Sequence, residues 1–397
     1  MNEINYHRYF DWAATAPFDT QVLQESLEES FKTWGNPSSI YKLGTDSKNT
    51  LNEARNIIAQ TLEVDSKNLF FTSGGTESDQ IPLLSILNRP AESASILVSS
   101  IEHPALREQC KILSRLGYKV IQIPSDTSGI IQPETVASLI TNDTLFIAVM
   151  AVNNETGAIQ PVKEIAEKIK EKTKGKRKPK FHVDFVQALG KIPFELKNSG
   201  IDSAAFSAHK IGGPRGIGLL YIENPSAIEP FLKGGGQEQN IRSGTENVFG
   251  AIAFSRVIKK YAVSKKNVTM TERFELQKKY MNEFIKKLSS IKTCHIIPEN
   301  RLDENFSDTH FSPWVLQAAF EKIPGQVMVR ALDSKGFSIS TGSACSSKKN
   351  ARPILEAMNV PPALRENAVR FSFGSLTEKK DIDELFDAVN EICSTFK

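Results

Sequence analysis

From about residue 43 to residue 225, short apolar runs alternate with segments of helical periodicity, and this alternation limits the folds open to the chain more than any other feature. The runs are NLFFTS, SILVSS, YKVIQI, TLFIAVMAV, FHVDF, SAAFSA and GIGLLYI, with helical patterns opening at Thr76, Pro104 and Pro161. Such a rhythm belongs to α/β folds, in which crossover helices join mostly parallel strands. In LNEARNIIAQTL, Leu51, Ala54, Ile58 and Leu62 recur three or four residues apart and mark one apolar helix face. Beyond about residue 262 the pattern changes to a long helix and then mixed strands and helices. The reading is an α/β large domain over residues 15–261 and a smaller α+β domain made of 1–14 and 262–397.

With 397 residues the chain can bury a sizeable core, and 40% hydrophobic against 24% charged residues excludes disorder. The 49 basic and 46 acidic residues leave a net charge of +3, which gives no indication of nucleic acid as a partner. KIKEKTKGKRKPK, at 168–180, lies between an amphipathic helix and a strand, lacks interleaved aromatics, and reads as a solvated helix end and loop. The start, MNEINYHRYFDW, has neither a basic, apolar leader pattern nor a cleavage site, and no stretch approaches about 18 uninterrupted apolar residues. A cytoplasmic protein without a membrane partner is expected. Cys110, Cys294, Cys345 and Cys393 are far apart, with no CxxC pair, so neither a metal site nor a disulfide scaffold is expected.

Three polar constellations follow apolar runs, where strand ends of open α/β sheets bind ligands. In FFTSGGTESDQ a strand runs into Gly74 and Gly75, and a helix opening near Thr76 offers free backbone N–H groups to an anion. The same residues also suit a plain tight turn. In FHVDFVQ, Asp184 and Gln187 leave a strand, and a carboxylate between Val183 and Phe185 requires a positive partner, either a ligand cation or a structural ion pair. In AAFSAHKIGGPRGIG, Ser207, His209 and Lys210 follow a strand of small residues. A lysine kept from bulk water there has a lowered pKa and becomes a nucleophilic amine fit for Schiff-base chemistry; one that reaches solvent stays an ordinary surface cation. An anion-binding helix start, a carboxylate for a ring cation and an amine for an aldehyde are together what pyridoxal phosphate asks for.

SGGTES, Glu102-His103-Pro104, VNNETG, HVDxxQ, SxHK, RSGT, GSACSS and VRFSFG occur in this order over roughly residues 10 to 390. In that order they resemble the cysteine desulfurases of the NifS/IscS type, class-V aminotransferases among the fold-type I pyridoxal phosphate enzymes. The resemblance implies a large domain with a mostly parallel seven-stranded sheet and a small domain carrying a catalytic cysteine loop. It also implies pyridoxal 5'-phosphate as cofactor, L-cysteine as substrate, a homodimer, and a sulfur-acceptor protein such as an iron–sulfur scaffold. Lys210 then corresponds to the Schiff-base lysine and the base that moves the Cα proton. Asp184 pairs with the ring nitrogen, His103 stacks on the ring and, as a catalytic residue beside Lys210 and Cys345, shuttles protons, and Asn154 and Gln187 bond the ring hydroxyl side. Gly75, Thr76, Ser207 and His209 fall to the phosphate, joined by Thr245 of the partner subunit. Arg370 holds the substrate carboxylate, with Asn36 and Asn154 beside it; without the resemblance, Arg370 reads as an interdomain salt bridge.

GFSISTGSACSSKKN, at 336–350, sets Cys345 among small residues and reads as a mobile loop, with Lys348, Lys349 and Arg352 placed to favour a thiolate. By the resemblance, Cys345 takes the sulfur and becomes a persulfide, whereas Cys110, Cys294 and Cys393 read as inert. Tyr41, Gln80, Phe185 and Val186 depart from the pattern, none of them at the lysine, the aspartate or the thiol. A selenocysteine lyase or an aminotransferase shares Lys210 and Asp184, though an aminotransferase has no use for the thiol loop; a silent scaffold paralogue is a third reading. The glycines of GGPRGIG and KGGGQEQ fit no nucleotide-binding fingerprint.

Overall fold

The computed structural model describes residues 6–264, 266–342 and 352–396. All seven apolar runs form strands of one sheet: β1 (Leu69–Thr72), β2 (Ser95–Ser99), β3 (Lys119–Ile123), β4 (Thr144–Ala148), β5 (Lys180–Asp184), β6 (Ser203–Ser207) and β7 (Gly218–Ile222), in the order β1-β7-β6-β5-β4-β2-β3. Neighbours from β6 across to β3 run parallel, and β7 lies antiparallel to both β1 and β6. The connection 208–217 is too short for a crossover helix, so β7 turns straight back on β6. Every residue of β1, β2, β6 and β7 is buried, which is why these strands read as continuous apolar runs and not as alternations.

One run extends further in sequence than in structure. TLFIAVMAV suggests a strand to residue 152, yet β4 stops at Ala148. Met150 N–H is taken by the carboxylate of Glu102 at 2.7 Å, while Ala151 N–H still reaches Asp184 O of β5 at 2.9 Å, so a side chain replaces strand pairing on one side of the chain just past Ala148. Leu51, Ala54, Ile58 and Leu62 face the core from the Lys42–Leu62 helix, in the same apolar cluster as Ala251, Phe254 and Val257 of the Val248–Tyr261 helix. Asn247 caps the latter helix by accepting Gly250 N–H at 2.8 Å.

A second sheet, antiparallel, takes the order β10-β9-β8, with β8 (Cys294–Ile297), β9 (Val315–Phe320) and β10 (Ala368–Ser372). Its core joins Phe284 of the Val268–Ser289 helix and Leu385 of the Lys379–Thr395 helix to Leu316 and Phe371. Phe10 sits in this core, and the N-terminal strip is zipped onto the sheet by Phe10 N–H to Ser338 O and Ser372 N–H to Phe10 O, each 2.8 Å. That anchoring carries Ala13 and Ala14 to the edge of the large sheet, where Lys210 meets their carbonyls, and sets Asp11 against Arg370. Among the described residues, no helix is long and apolar enough to cross a membrane.

Candidate active site

Because β1, β2, β4, β5 and β6 share one direction, their C-terminal ends open along one edge of the sheet. A cleft there is lined by Gly75, Thr76, His103, Asn154, Asp184, Gln187, Ser207, His209, Lys210 and Arg370. Of the other residues expected from sequence, Asn36 and Thr245 are exposed and line no part of it. Asn36 instead accepts Ser38 N–H at 2.9 Å within its own turn. Cys345, Lys348 and Lys349 lie outside the described residues.

One end of the cleft is the start of the Gly75–Leu84 helix, whose first-turn N–H groups have no partner within the helix. A side chain at Gly75 would bring its Cβ within 2.7 Å of Val186 Cγ2, so only glycine keeps this approach open. Glu77, in the same turn, is neutralised by Arg242, whose Nε donates to Oε1 at 3.1 Å. Arg242 belongs to RSGT, so this ion pair fastens the segment carrying Thr245 to the helix start. Ser207 ends β6, and His209 Nδ1 lies 3.0 Å from Thr15 Oγ1. Burial, then the nearby Lys210, holds the His209 imidazole down to about 3, hence neutral.

Lys210 follows β6 in a short turn, and its Nζ donates to Ala13 O at 2.6 Å and Ala14 O at 2.7 Å. Burial, then Arg370, lowers its pKa from 10.5 to about 8. Asp184 closes β5; its carboxylate accepts Val186 N–H at 2.8 Å and, among the described residues, forms no ion pair. Burial, then the neighbouring Asp79, pushes it up to about 8. Of the two partners its sequence context allows, a structural ion pair is thus absent here. His103 caps the Pro104–Arg115 helix by accepting Ala105 N–H on Nδ1 at 3.2 Å, which leaves its proton on Nε2. Burial, then Lys210, keeps it neutral, with a pKa of about 4.

Arg370, on β10 and 2% exposed, lines the cleft and donates to Asn154 O at 2.8 Å and to Asp11 Oδ1 at 2.6 Å; with 1–14 and 262–397 read as one unit, its salt bridge to Asp11 is not an interdomain one. Its Nε and the Oδ1 of Asn154 are buried without partners. Sequence reasoning missed several contributors. Asp79 lines the cleft floor and meets His182 Nε2 at 3.1 Å, both being buried, and Lys191 donates to Gln187 Oε1. Asp79 had a readable signal, an acid on the buried face of a helix beside Leu83; the carbonyls of Ala13 and Ala14 had none. Burial drives the thiols of Cys110 and Cys294 up to about 12 and that of Cys393 to about 11, so all three are protonated at neutral pH.

Residues 8–385 match the family model "Aminotransferase class-V". The cysteine desulfurase IscS of Dictyoglomus turgidum is 33% identical over 386 residues, covering 97% of this chain and 94% of that protein. A solved NifS-like protein superposes with a TM-score of 0.87 at 32% identity, over 98% of this chain and 99% of that one. Another solved structure, SspA in complex with cysteine, gives a TM-score of 0.78 at 26% identity, over 94% and 100% of the two chains. The chain belongs to the class-V aminotransferase family, in its group of cysteine desulfurases of the NifS/IscS type.

Proposed function

We propose that the cleft holds pyridoxal 5'-phosphate and L-cysteine, and that the protein removes sulfur from L-cysteine to give L-alanine and a persulfide on Cys345. The observation that carries this reading is the pairing in one cleft of a lysine amine whose pKa is lowered to about 8 with a buried aspartate that has no ion-pair partner among the described residues. The lining suits this cofactor. Gly75 keeps the helix start open to a phosphate, neutral His209 and Ser207 stand beside it, and the orphaned Asn154 Oδ1 suits the ring hydroxyl. When bound, the cofactor supplies an aldehyde and a protonated ring that draws electron density from the substrate Cα.

The chain's own groups do the rest. Asp184, given a cation to face, loses its proton and keeps the ring nitrogen protonated. Lys210 would hold the cofactor aldehyde through its amine and, with the substrate amine in that place, its Nζ would take the Cα proton and return it to Cα before alanine leaves. His103 covers the ring as a neutral imidazole with its proton on Nε2, and Arg370, with one orphaned N–H, orients the substrate carboxylate. Cys345 thiolate attacks the substrate sulfur; an S–S bond forms, the Cβ–S bond breaks, and Cβ retains the electron pair and takes a proton to become the methyl of alanine. The persulfide then passes to an acceptor protein such as an iron–sulfur scaffold. Addition of L-cysteine to the yellow protein should change its visible spectrum and release alanine in step with sulfide under reductant. A spectrum indifferent to L-cysteine, or an equal or faster release from selenocysteine, would redirect the assignment.

Asp184→Ala should cut turnover more than a hundredfold and weaken cofactor binding, since removing one partner of a buried pair costs roughly 3–5 kcal/mol. Near-normal alanine release by this variant would reduce the carboxylate to a structural part.

A homodimer completes the site in this reading. Thr245 and Asn36 are exposed outside the chain's own cleft, and Phe31, Trp34, Ile40 and Tyr41 leave large apolar surface open next to Asn36, with Ile40 99% exposed. Sedimentation should find two chains, and Thr245→Ala should weaken cofactor binding without dissociating them. A monomer with full activity rejects this arrangement. We also propose domain limits of 15–261 for the large unit and 1–14 with 262–397 for the small one, supported by the second apolar core, whose buried residues are Phe10, Ala13 and residues from Met281 onward; the first core also takes in Met270, Phe274, Ile354 and Leu355, which pack across that limit.

A further inference from the structure

We propose that Lys191 is a positioning residue for Gln187, fixing its amide as a hydrogen-bond donor toward the cofactor; this rests on the reading that the cleft holds pyridoxal phosphate. Lys191 is only 6% exposed, and a buried lysine is costly unless something uses it. Its Nζ donates to an uncharged group, Gln187 Oε1, and the charged neighbours that act on it are the like-charged Lys210 and Arg370. Burial, then these two cations, holds its pKa well below that of an ordinary lysine. Among the described residues, no counter-charge accounts for its position.

What it does is visible at the amide. Gln187 Oε1 is taken by Lys191, and Nε2 gives one N–H to Ala13 O at 2.9 Å. Turned half a revolution, the amide would set oxygen against the Ala13 carbonyl and nitrogen against Nζ, two repulsive contacts in a buried place. Only one orientation survives, and in it the second Nε2 proton has no acceptor among the described residues, on a side chain that lines the cleft. The backbone of Lys191 is itself held: its N–H donates to Ala188 O at 3.0 Å, and its carbonyl accepts Trp314 Nε1 at 2.6 Å. Ala13 O also accepts Lys210 Nζ at 2.6 Å, so the carbonyl that fixes the amide is the one that seats the Schiff-base lysine. Lys191 thus acts through Gln187 and touches no reacting atom.

The test uses the full-length protein stripped of cofactor and titrated with pyridoxal phosphate, following the visible band. Lys191→Met keeps the length and removes the donor; a well-packed apolar replacement of a buried charge is expected to leave thermal stability equal or higher. It should weaken cofactor binding about tenfold, the value of one buried hydrogen bond, and shift the band maximum. Gln187→Leu should do the same, and the double variant should be no worse than Gln187→Leu alone. Additive losses, or a Lys191→Met protein with wild-type affinity and band, overturn the inference. If Lys191→Met does not fold, Gln187→Glu decides instead: it keeps the Lys191 contact but removes the amide donor, so the band should still shift, and an unchanged spectrum is equally fatal. A wild-type protein that takes up no pyridoxal phosphate would sink the functional reading itself, and this inference with it.

Discussion

Lys210→Ala is expected to abolish turnover and to leave no cofactor that borohydride can fix to the chain. Two losses combine. Proton transfer by a positioned side chain contributes about 10²–10⁴-fold, and the covalent seat for the aldehyde disappears as well, so the fall should exceed about 10⁴-fold. The amine is also prepared for its task. With its pKa lowered from 10.5 to about 8, roughly a tenth of it is unprotonated at pH 7, about 300 times more than at an ordinary lysine. The free amine is the reactive form, so capture of pyridoxal phosphate by the cofactor-free protein should quicken as pH rises toward about 8 and level off above it. Peptide mass after borohydride reduction checks the assignment directly. A reduced cofactor on Lys191, or on any other lysine, would move the covalent role away from Lys210.

How much of this was legible depended on whether a group acts from where its sequence signal stands. The strands of the large sheet were readable because burial on both faces leaves unbroken apolar runs, as in SAAFSA and GIGLLYI. The groups that follow those runs were readable for a related reason. A parallel sheet collects its C-terminal ends, so Asp184 and Ser207, each the last residue of a strand, must come together with Lys210 just beyond β6. Contributions from distant backbone were not. Ala13 O and Ala14 O seat Lys210 from 197 and 196 positions away, and a carbonyl carries no residue-type signal. The strand suggested for TLFIAVMAV overran because a single side chain, Glu102, takes Met150 N–H out of the ladder, a tertiary contact that no local pattern contains. The Arg370–Asp11 pair lies within the smaller unit, Asp11 in 1–14 and Arg370 in 262–397, so it is not the interdomain salt bridge expected without the resemblance, whereas the cleft position is the one the resemblance implies.

Cys345→Ser should keep the cofactor and stop the reaction after substrate binds. Cys345 lies outside the described residues, so the prediction rests on its motif and on what the other thiols cannot do. A free thiol with an ordinary pKa is about one-tenth thiolate at pH 7.5, while a serine hydroxyl is essentially never ionised there and attacks sulfur poorly. Lys210, Asp184 and Arg370 remain in the variant, so L-cysteine should still change the visible spectrum. Alanine release should fall by at least about a thousandfold. No other cysteine can take over. Cys110 and Cys294, with pKa values of about 12, and Cys393, at about 11, are each under about one part in a thousand thiolate at pH 7.5. In the wild type, then, L-cysteine should add one sulfur atom to the peptide containing Cys345, removable by a reductant and matched by alanine. Sulfur found on Cys110, Cys294 or Cys393, or wild-type alanine release from Cys345→Ser, would mean that the C–S bond breaks without this thiol, as a lyase would break it.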